Sequence, residues 1–300
     1  MPRASPCGTL IFARLSTNQG GMQALVDAAR RKESVLVAGL DPIPSRFPEE
    51  LRALSEADAT LEFCRGILEA VEPYVAAVKL QAAYFERLGT VGMGIYADLI
   101  EAARDLGLPA IADVKRGDIG PVAAAYAGAH LGVYGATCVT VNPYMGEDAV
   151  LPFLEEARRR NAGGGVFVLV ATSNPSSREV QEATDPPLFE VVARLVEGFG
   201  RSAGDYPDAG AVVGVTRPEI GCRVRELLPE TLFLSPGYGA QGGEASSVRP
   251  LLDRGGGGVL VSSSRSILYA YESLTSGYRE AAIEAARKAR DELRLAGARL

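Results

Sequence analysis

Two carboxylates and an ammonium fall together in the stretch Asp113-Val114-Lys115-Arg116-Gly117-Asp118. The stretch follows the apolar run 108–112 and leads into an Ala-rich segment, so it reads as the end of a strand and the loop after it. Side chains alternate along a strand, which sets Ile111, Asp113 and Lys115 on one face and Ala110, Ala112 and Val114 on the other. A carboxylate and an ammonium two residues apart at a buried strand end are expensive to desolvate unless they pair. Asp118 follows three residues later, past Gly117, where the backbone can turn sharply. Such a cluster shifts pKa values and focuses the field as proton-transfer chemistry requires. A D-x-K-x-x-D spacing taken alone is equally a strand-end ion pair followed by a solvated loop acid.

The elements that must position these groups recur along the chain. Short apolar runs occupy 35–40, 74–80, 108–114, 137–141, 166–171, 211–215, 231–235 and 258–261. Segments of helical length separate them, at 61–71, 84–106, 122–130, 149–160, 188–200 and 218–228, with an opening helix at 23–32 and a closing one within 277–300. Eight strands alternating with helices over about 270 residues predict a single (β/α)8 TIM barrel. No G-x-G-x-x-G follows the first strand to favour an open doubly wound sheet. Residues 1–20 carry Arg3, Arg14 and several Ser and Thr without an acid, and are expected to form a disordered extension, with 21–300 as the barrel domain.

In such a barrel, catalytic groups sit where strands end at their C-terminal edge. The first predicted strand ends at Asp41 and the second at Lys79, which with Asp113, Lys115 and Asp118 place five charges on one rim. Separately, Asp41 before Pro42 is an ordinary turn opener and Lys79 an ordinary snorkelling lysine. The fifth strand leads to Ser173 and a long polar loop. The seventh gives Pro236-Gly237-Tyr238-Gly239-Ala240-Gln241-Gly242-Gly243, too glycine-rich to be rigid without a ligand, and the eighth gives Ser264-Arg265 entering a helix. Glycine-rich backbone after strand seven beside an Arg at a helix start after strand eight is the usual barrel site for a phosphate.

Composition narrows the class. The net charge of −6 argues against a nucleic-acid surface, and no run of about eighteen apolar residues offers a membrane span. The four cysteines form no C-x-x-C pair, and Cys64 and Cys138 in apolar segments read as buried thiols of a reducing, cytoplasmic protein. His130 is the only histidine and lies in a helical stretch, so a structural role is expected, with no metal-binding cluster and no G-x-S-x-G elbow.

The octet Asp113-Val114-Lys115-Arg116-Gly117-Asp118-Ile119-Gly120 closely resembles the signature of the orotidine 5′-monophosphate decarboxylases, in the branch with Lys-Arg-Gly between the acids. Gly39-Leu40-Asp41-Pro42, Lys79 with Gln81, Thr140-Val141-Asn142-Pro143-Tyr144, Ser173-Asn174-Pro175, the 236–243 loop and Ser264-Arg265 extend the resemblance from about residue 35 to 267. It implies a Lys-Asp-Lys-Asp network of Lys79, Asp113, Lys115 and Asp118, with Asp118 entering the active site of a neighbouring subunit in a homodimer. It further implies Asp41 on the ribose, Ser173 on the pyrimidine, Gln241 and Arg265 on the phosphate, and Pro236 at the base of a closing loop. The implied reaction takes orotidine 5′-monophosphate to uridine 5′-monophosphate and carbon dioxide, the last step of de novo pyrimidine nucleotide synthesis. Lys115 would be the proton donor, with no metal and no cofactor. Val122 stands where the family usually has a threonine contacting the partner's ligand. A metal-dependent sugar-phosphate decarboxylase or aldolase of the same barrel superfamily shares D-x-K-x-x-D, but it requires an acid where Lys79 stands. A phosphate-binding barrel without catalysis is disfavoured because all four network charges are present.

Overall fold

The computed structural model describes residues 22–300 apart from Ser202, Ala203, Ala240, Gln241 and Thr275, so the expected extension over 1–20 lies outside the described residues. Its apolar runs form eight strands: Leu36–Leu40 (β1), Ala77–Gln81 (β2), Ala110–Arg116 (β3), Cys138–Val141 (β4), Val166–Ala171 (β5), Ala209–Val213 (β6), Phe233–Pro236 (β7) and Val259–Ser263 (β8). All pair in parallel with their neighbours in chain order, and β8 returns to β1, closing the predicted barrel. Strands buried on both faces need apolar residues on both, which is why they read as continuous runs rather than as alternation.

Alternation decides what each face meets. Val37, Ala77, Ile111, Cys138, Phe167, Val212, Leu234 and Leu260 point inward and make one apolar cluster. Met22, Leu25 and Ala29 on the helix Gln23–Lys32 join that cluster, so this helix closes the floor of the barrel. Residues one step out of phase, such as Ala38, Val78, Ala112, Val139 and Val261, belong to the outer cluster beneath the surrounding helices. Moving two residues up from the floor along the inward positions reaches Gly39, Lys79, Asp113, Thr140 and Ser262, and the lumen turns from apolar to polar.

Of the boundaries that differ from the sequence reading, three have clear local reasons. β2 starts at Ala77 rather than at residue 74, because Glu72–Tyr74 form a 3-10 turn around Pro73. β6 starts two residues early and includes Gly210, where a β-carbon would stand 2.7 Å from both the Phe167 ring and the Leu232 carbonyl. The glycine that looks like loop is therefore what lets the bulky Phe167 fill the lumen. The long helix expected over 84–106 is two, Ala82–Glu86 and Gly89–Asp105, divided where Gly89 adopts φ +66°.

One buried side chain joins the strands that carry the glycine-rich loops. Arg225, 8% exposed, donates to the carbonyls of Leu251 (2.9 Å), Leu228 (2.9 Å), Thr231 (2.8 Å) and Gly258 (2.7 Å). Its guanidinium lies 3.6 Å over the Phe233 ring. Burial pulls its pKa down to about 10, although Asp253 acts in the opposite sense. Each of those carbonyls would be left without its Arg225 donor if the residue were truncated. Arg225→Met should lower unfolding stability by about 3 kcal/mol or more. Denaturant titration checks this, and a loss under about 1 kcal/mol would show that the clamp is dispensable.

Candidate active site

The polar end of the lumen is built on Asp113, the residue of β3 two steps above the inward Ile111. Its carboxylate receives four donors. Lys79 Nζ on β2 lies 2.8 Å from Oδ2 and Gln81 Nε2 lies 3.2 Å from it. Lys115 Nζ lies 2.5 Å from Oδ1, to which the Thr140 hydroxyl on β4 also donates at 2.9 Å. Lys79 Nζ further stands 3.7 Å from Asp41 Oδ1 at the end of β1. Asp113 and Lys79 are both 6% exposed, so this ion pair is nearly dry.

Burial opposes the charge on Asp113, but Lys79 and then Lys115 outweigh it and hold the carboxyl well below the usual carboxylate range. Burial likewise works against the Lys79 ammonium, and Asp113 with Asp41 more than offsets it, raising its pKa above the ordinary lysine value. Both members of the pair therefore stay charged across the neutral range.

Lys115 has a backbone to match. It sits at φ +48°, a left-handed conformation that costs a residue with a β-carbon about 1 kcal/mol or more. The β3–β4 pairing slips at this point, from Ala112 against Val139 to Arg116 against Val141. The slip carries the Lys115 side chain to the cavity edge, where it is 43% exposed and reaches back to Asp113.

Above the ion pair is a cavity of about 370 Å³, within the usual range for small-molecule sites. Asp41, Lys79, Asp113, Lys115, Ser173, Pro236 and Arg265, all singled out from the sequence, line it together. Asp41 Oδ1 is buried there with no hydrogen-bond partner among the described residues. At the far end Gly237 (φ +106°) and Gly239 (φ +75°) bring backbone close to the start of the helix Arg265–Leu268. A β-carbon on Gly239 would lie 2.4 Å from the Ser266 hydroxyl oxygen, so no other residue fits that approach. Tyr238 between them lines the cavity and donates its hydroxyl to Glu292 at 2.6 Å. The described ends of this loop also bond to each other, Gly239 N–H to the Gly243 carbonyl at 2.8 Å and Gly243 N–H to the Gly237 carbonyl at 3.1 Å. The loop base is thus held by its own backbone, where the glycine content alone predicts mobility; Gln241 lies outside the described residues.

The model of the orotidine 5′-phosphate decarboxylase / HUMPS family matches residues 34–290. The chain belongs to this family. It is 41% identical over 273 residues to the orotidine 5′-phosphate decarboxylase of Deinococcus radiodurans, covering 90% of this chain and 96% of that one. To the enzyme of the same name from Caldicellulosiruptor bescii it is 40% identical over 274 residues, 83% of this chain and 89% of the other. A solved OMP decarboxylase from Leishmania donovani superposes with a TM-score of 0.76 at 33% identity, over 92% of this chain and 97% of that one.

Within this family member, Asp118 stands apart from the other network residues. It is carried on the loop after β3, half-buried, with Oδ1 accepting the Ile119 N–H at 2.8 Å, and it is not among the residues lining the cavity of its own barrel. Sequence reading gave no role to Thr140 or Gln81, each of which holds Asp113. The signal was present: both are inward positions, two residues beyond Cys138 and Lys79 in strands whose alternation is fixed by the floor. His130 is buried in a π-helical turn, Gly128–Val133, with Nδ1 3.3 Å from the Tyr96 hydroxyl. Burial lowers its pKa to about 4, with Arg116 adding to the effect.

Removing Lys79 leaves Asp113 buried with one cation fewer. Lys79→Met should therefore destabilise the fold by about 3–5 kcal/mol at pH 7. The native contribution of Asp113, whose pKa is depressed, is present above about pH 4 and is lost as pH falls further. The gap between wild type and variant should then narrow as pH falls below about 4, as protonation removes the uncompensated charge. A gap independent of pH would mean that packing, not charge, is what Lys79 supplies.

Proposed function

We propose that the chain decarboxylates orotidine 5′-monophosphate to uridine 5′-monophosphate, with Lys115 as the proton donor and with neither metal nor cofactor. The observation that carries the reading is the Asp113 carboxylate held between the Lys79 and Lys115 ammonium groups at the foot of the cavity, in a chain of this family. Loss of carbon dioxide from the pyrimidine leaves an electron pair in the plane of the ring, where the π-system cannot take it up. An ammonium fixed beside that carbon stabilises the developing charge and then supplies the proton. Lys115 is the network cation with exposed surface toward the cavity, whereas Lys79 is enclosed against both acids. Asp113 orients Lys115 and faces the substrate carboxylate, while Lys79 offsets the acids.

The remaining contacts follow the cavity. The buried Asp41 oxygen, which has an ionic neighbour in Lys79 but accepts no hydrogen bond among the described residues, suits a ribose hydroxyl, and Ser173 on the loop after β5 suits the pyrimidine edge. Arg265 and the Gly237–Gly239 backbone suit the phosphate, to which the family resemblance adds Gln241, with Pro236 as the hinge of the loop. Binding energy gathered at the phosphate, far from the reacting carbon, then serves closure. A divalent cation at the acids is disfavoured because Lys79 Nζ already lies between Asp41 and Asp113. Exhaustive chelation should accordingly leave turnover of orotidine monophosphate unchanged, and recovery dependent on added magnesium would favour the sugar-phosphate alternative. Arg265→Ala should raise KM by about a hundredfold through loss of charge-assisted phosphate contacts. An equal loss with the nucleoside lacking phosphate would make Arg265 structural instead.

The unit of catalysis in this reading is a homodimer. Ile119 (58% exposed) and Val122 (41%) flank Asp118, while Tyr144 (82%) and Met145 (54%) stand on the loop after β4. Such exposed apolar side chains beside an acid outside its own cavity fit a second copy of the chain that receives Asp118. Val122, lacking a hydroxyl, offers that copy apolar contact only. Lys115→Ala and Asp118→Ala homodimers should each be nearly inactive. Random exchange between them makes about half the dimers mixed, each with one site of native composition, so about a quarter of wild-type activity should return. No recovery after confirmed exchange would place Asp118 in its own subunit's chemistry.

A further inference from the structure

We infer that Thr140 is a positioning residue for the reaction, its hydroxyl setting both the backbone of the proton donor and the carboxylate that aims it. The inference rests on the proposed decarboxylation. It starts from the break in the barrel's pairing. Ala112 pairs with Val139 and Arg116 with Val141, so Asp113, Val114 and Lys115 all lie against Thr140 alone. A strand with surplus residues bulges, and the backbone groups in the bulge lose their ladder partners. The N–H of Lys115 accordingly donates to the Thr140 hydroxyl oxygen, at 3.0 Å, in place of a β4 carbonyl.

That single bond has two consequences. It ties down the amide of a residue held at φ +48°, a conformation that persists only where its surroundings enforce it. It also settles the hydroxyl's direction: with the oxygen accepting from Lys115, the proton is given to Asp113 Oδ1 at 2.9 Å. Lys115 Nζ binds that same carboxylate oxygen. One hydroxyl, on a residue only 1% exposed, therefore closes a ring from the Lys115 amide through Asp113 to the Lys115 ammonium. A lysine side chain has four rotatable carbons, so fixing its root and its partner is what limits where the ammonium can stand. Productive proton transfer demands that placement within a fraction of an ångström.

The hydroxyl, and not the volume, carries this role. Thr140→Val keeps shape but leaves the Lys115 amide without its acceptor and removes one donor from Asp113; Thr140→Ser keeps the hydroxyl and gives up a methyl. The expected result is a kcat at least tenfold lower for Thr140→Val with KM within threefold of wild type, and a kcat within threefold for Thr140→Ser. Amide hydrogen exchange at Lys115 should be fast in Thr140→Val and protected in wild type and Thr140→Ser. This second readout does not depend on substrate, so failure of the wild type to decarboxylate would count against the proposed function and not against the ring. Should Thr140→Val not fold, Thr140→Cys replaces it, since a thiol of similar size is a weak acceptor. The inference is overturned by near-wild-type kcat in the folded variant lacking the hydroxyl, by equal losses for Val and Ser, or by unchanged Lys115 protection.

Discussion

A carboxylate buried in a protein interior is stable only if cations and donors surround it, and Asp113 is met by two ammonium groups, an amide and a hydroxyl. Those four donors come from β2, the end of β3 and β4, so the charge cannot be satisfied unless three consecutive strands stand in one register. The register in turn follows from the floor, where Ala77, Ile111 and Cys138 meet above Met22 and Leu25. Chemistry at the mouth is thus a consequence of apolar packing two residues below it. A one-residue slip of β3 would turn Asp113 outward beneath the helices, away from Lys79 and Thr140.

The closed barrel was legible because its signal is repeated eight times, and one misjudged boundary leaves the other seven intact. The inward face was legible because alternation holds along β3 as far as the bulge, so Ile111 and Asp113 were placed together correctly. What could not be read was any feature produced by the meeting of two strands. Gly210 looks like a break until Phe167 is seen to need its space. Thr140 is unremarkable until the pairing beside it slips and leaves an amide without an acceptor. Neither event has a local sequence pattern, because each depends on a residue more than twenty positions away.

The site residues divide along the same line. Asp41, Lys79, Asp113, Lys115, Ser173, Pro236 and Arg265 each lie from the middle of a strand onward or in the loop after it, and the barrel brings such positions to one rim whatever the loops do. Asp118 lies beyond the reach of that rule, on a loop whose neighbours Ile119 and Val122 face solvent in the single chain. In the proposed dimer its contribution would follow from how copies of the chain meet, which the pattern of strands and helices does not encode.

The segregation of an apolar floor from a polar mouth also makes the molecule's two tasks compete in one place only. Near the floor every inward side chain adds to folding, while at the mouth the buried ions cost desolvation that an apolar filling would not. Replacing the buried ions together, Asp41 included, by apolar residues of similar volume is often neutral or stabilising, and on the proposed mechanism it would leave the barrel chemically inert. Selection for robustness alone would therefore erase the ion network from the top downward and leave the floor untouched. The persistence of charge in that layer, against the gradient of stability, is the imprint of what the barrel is used for.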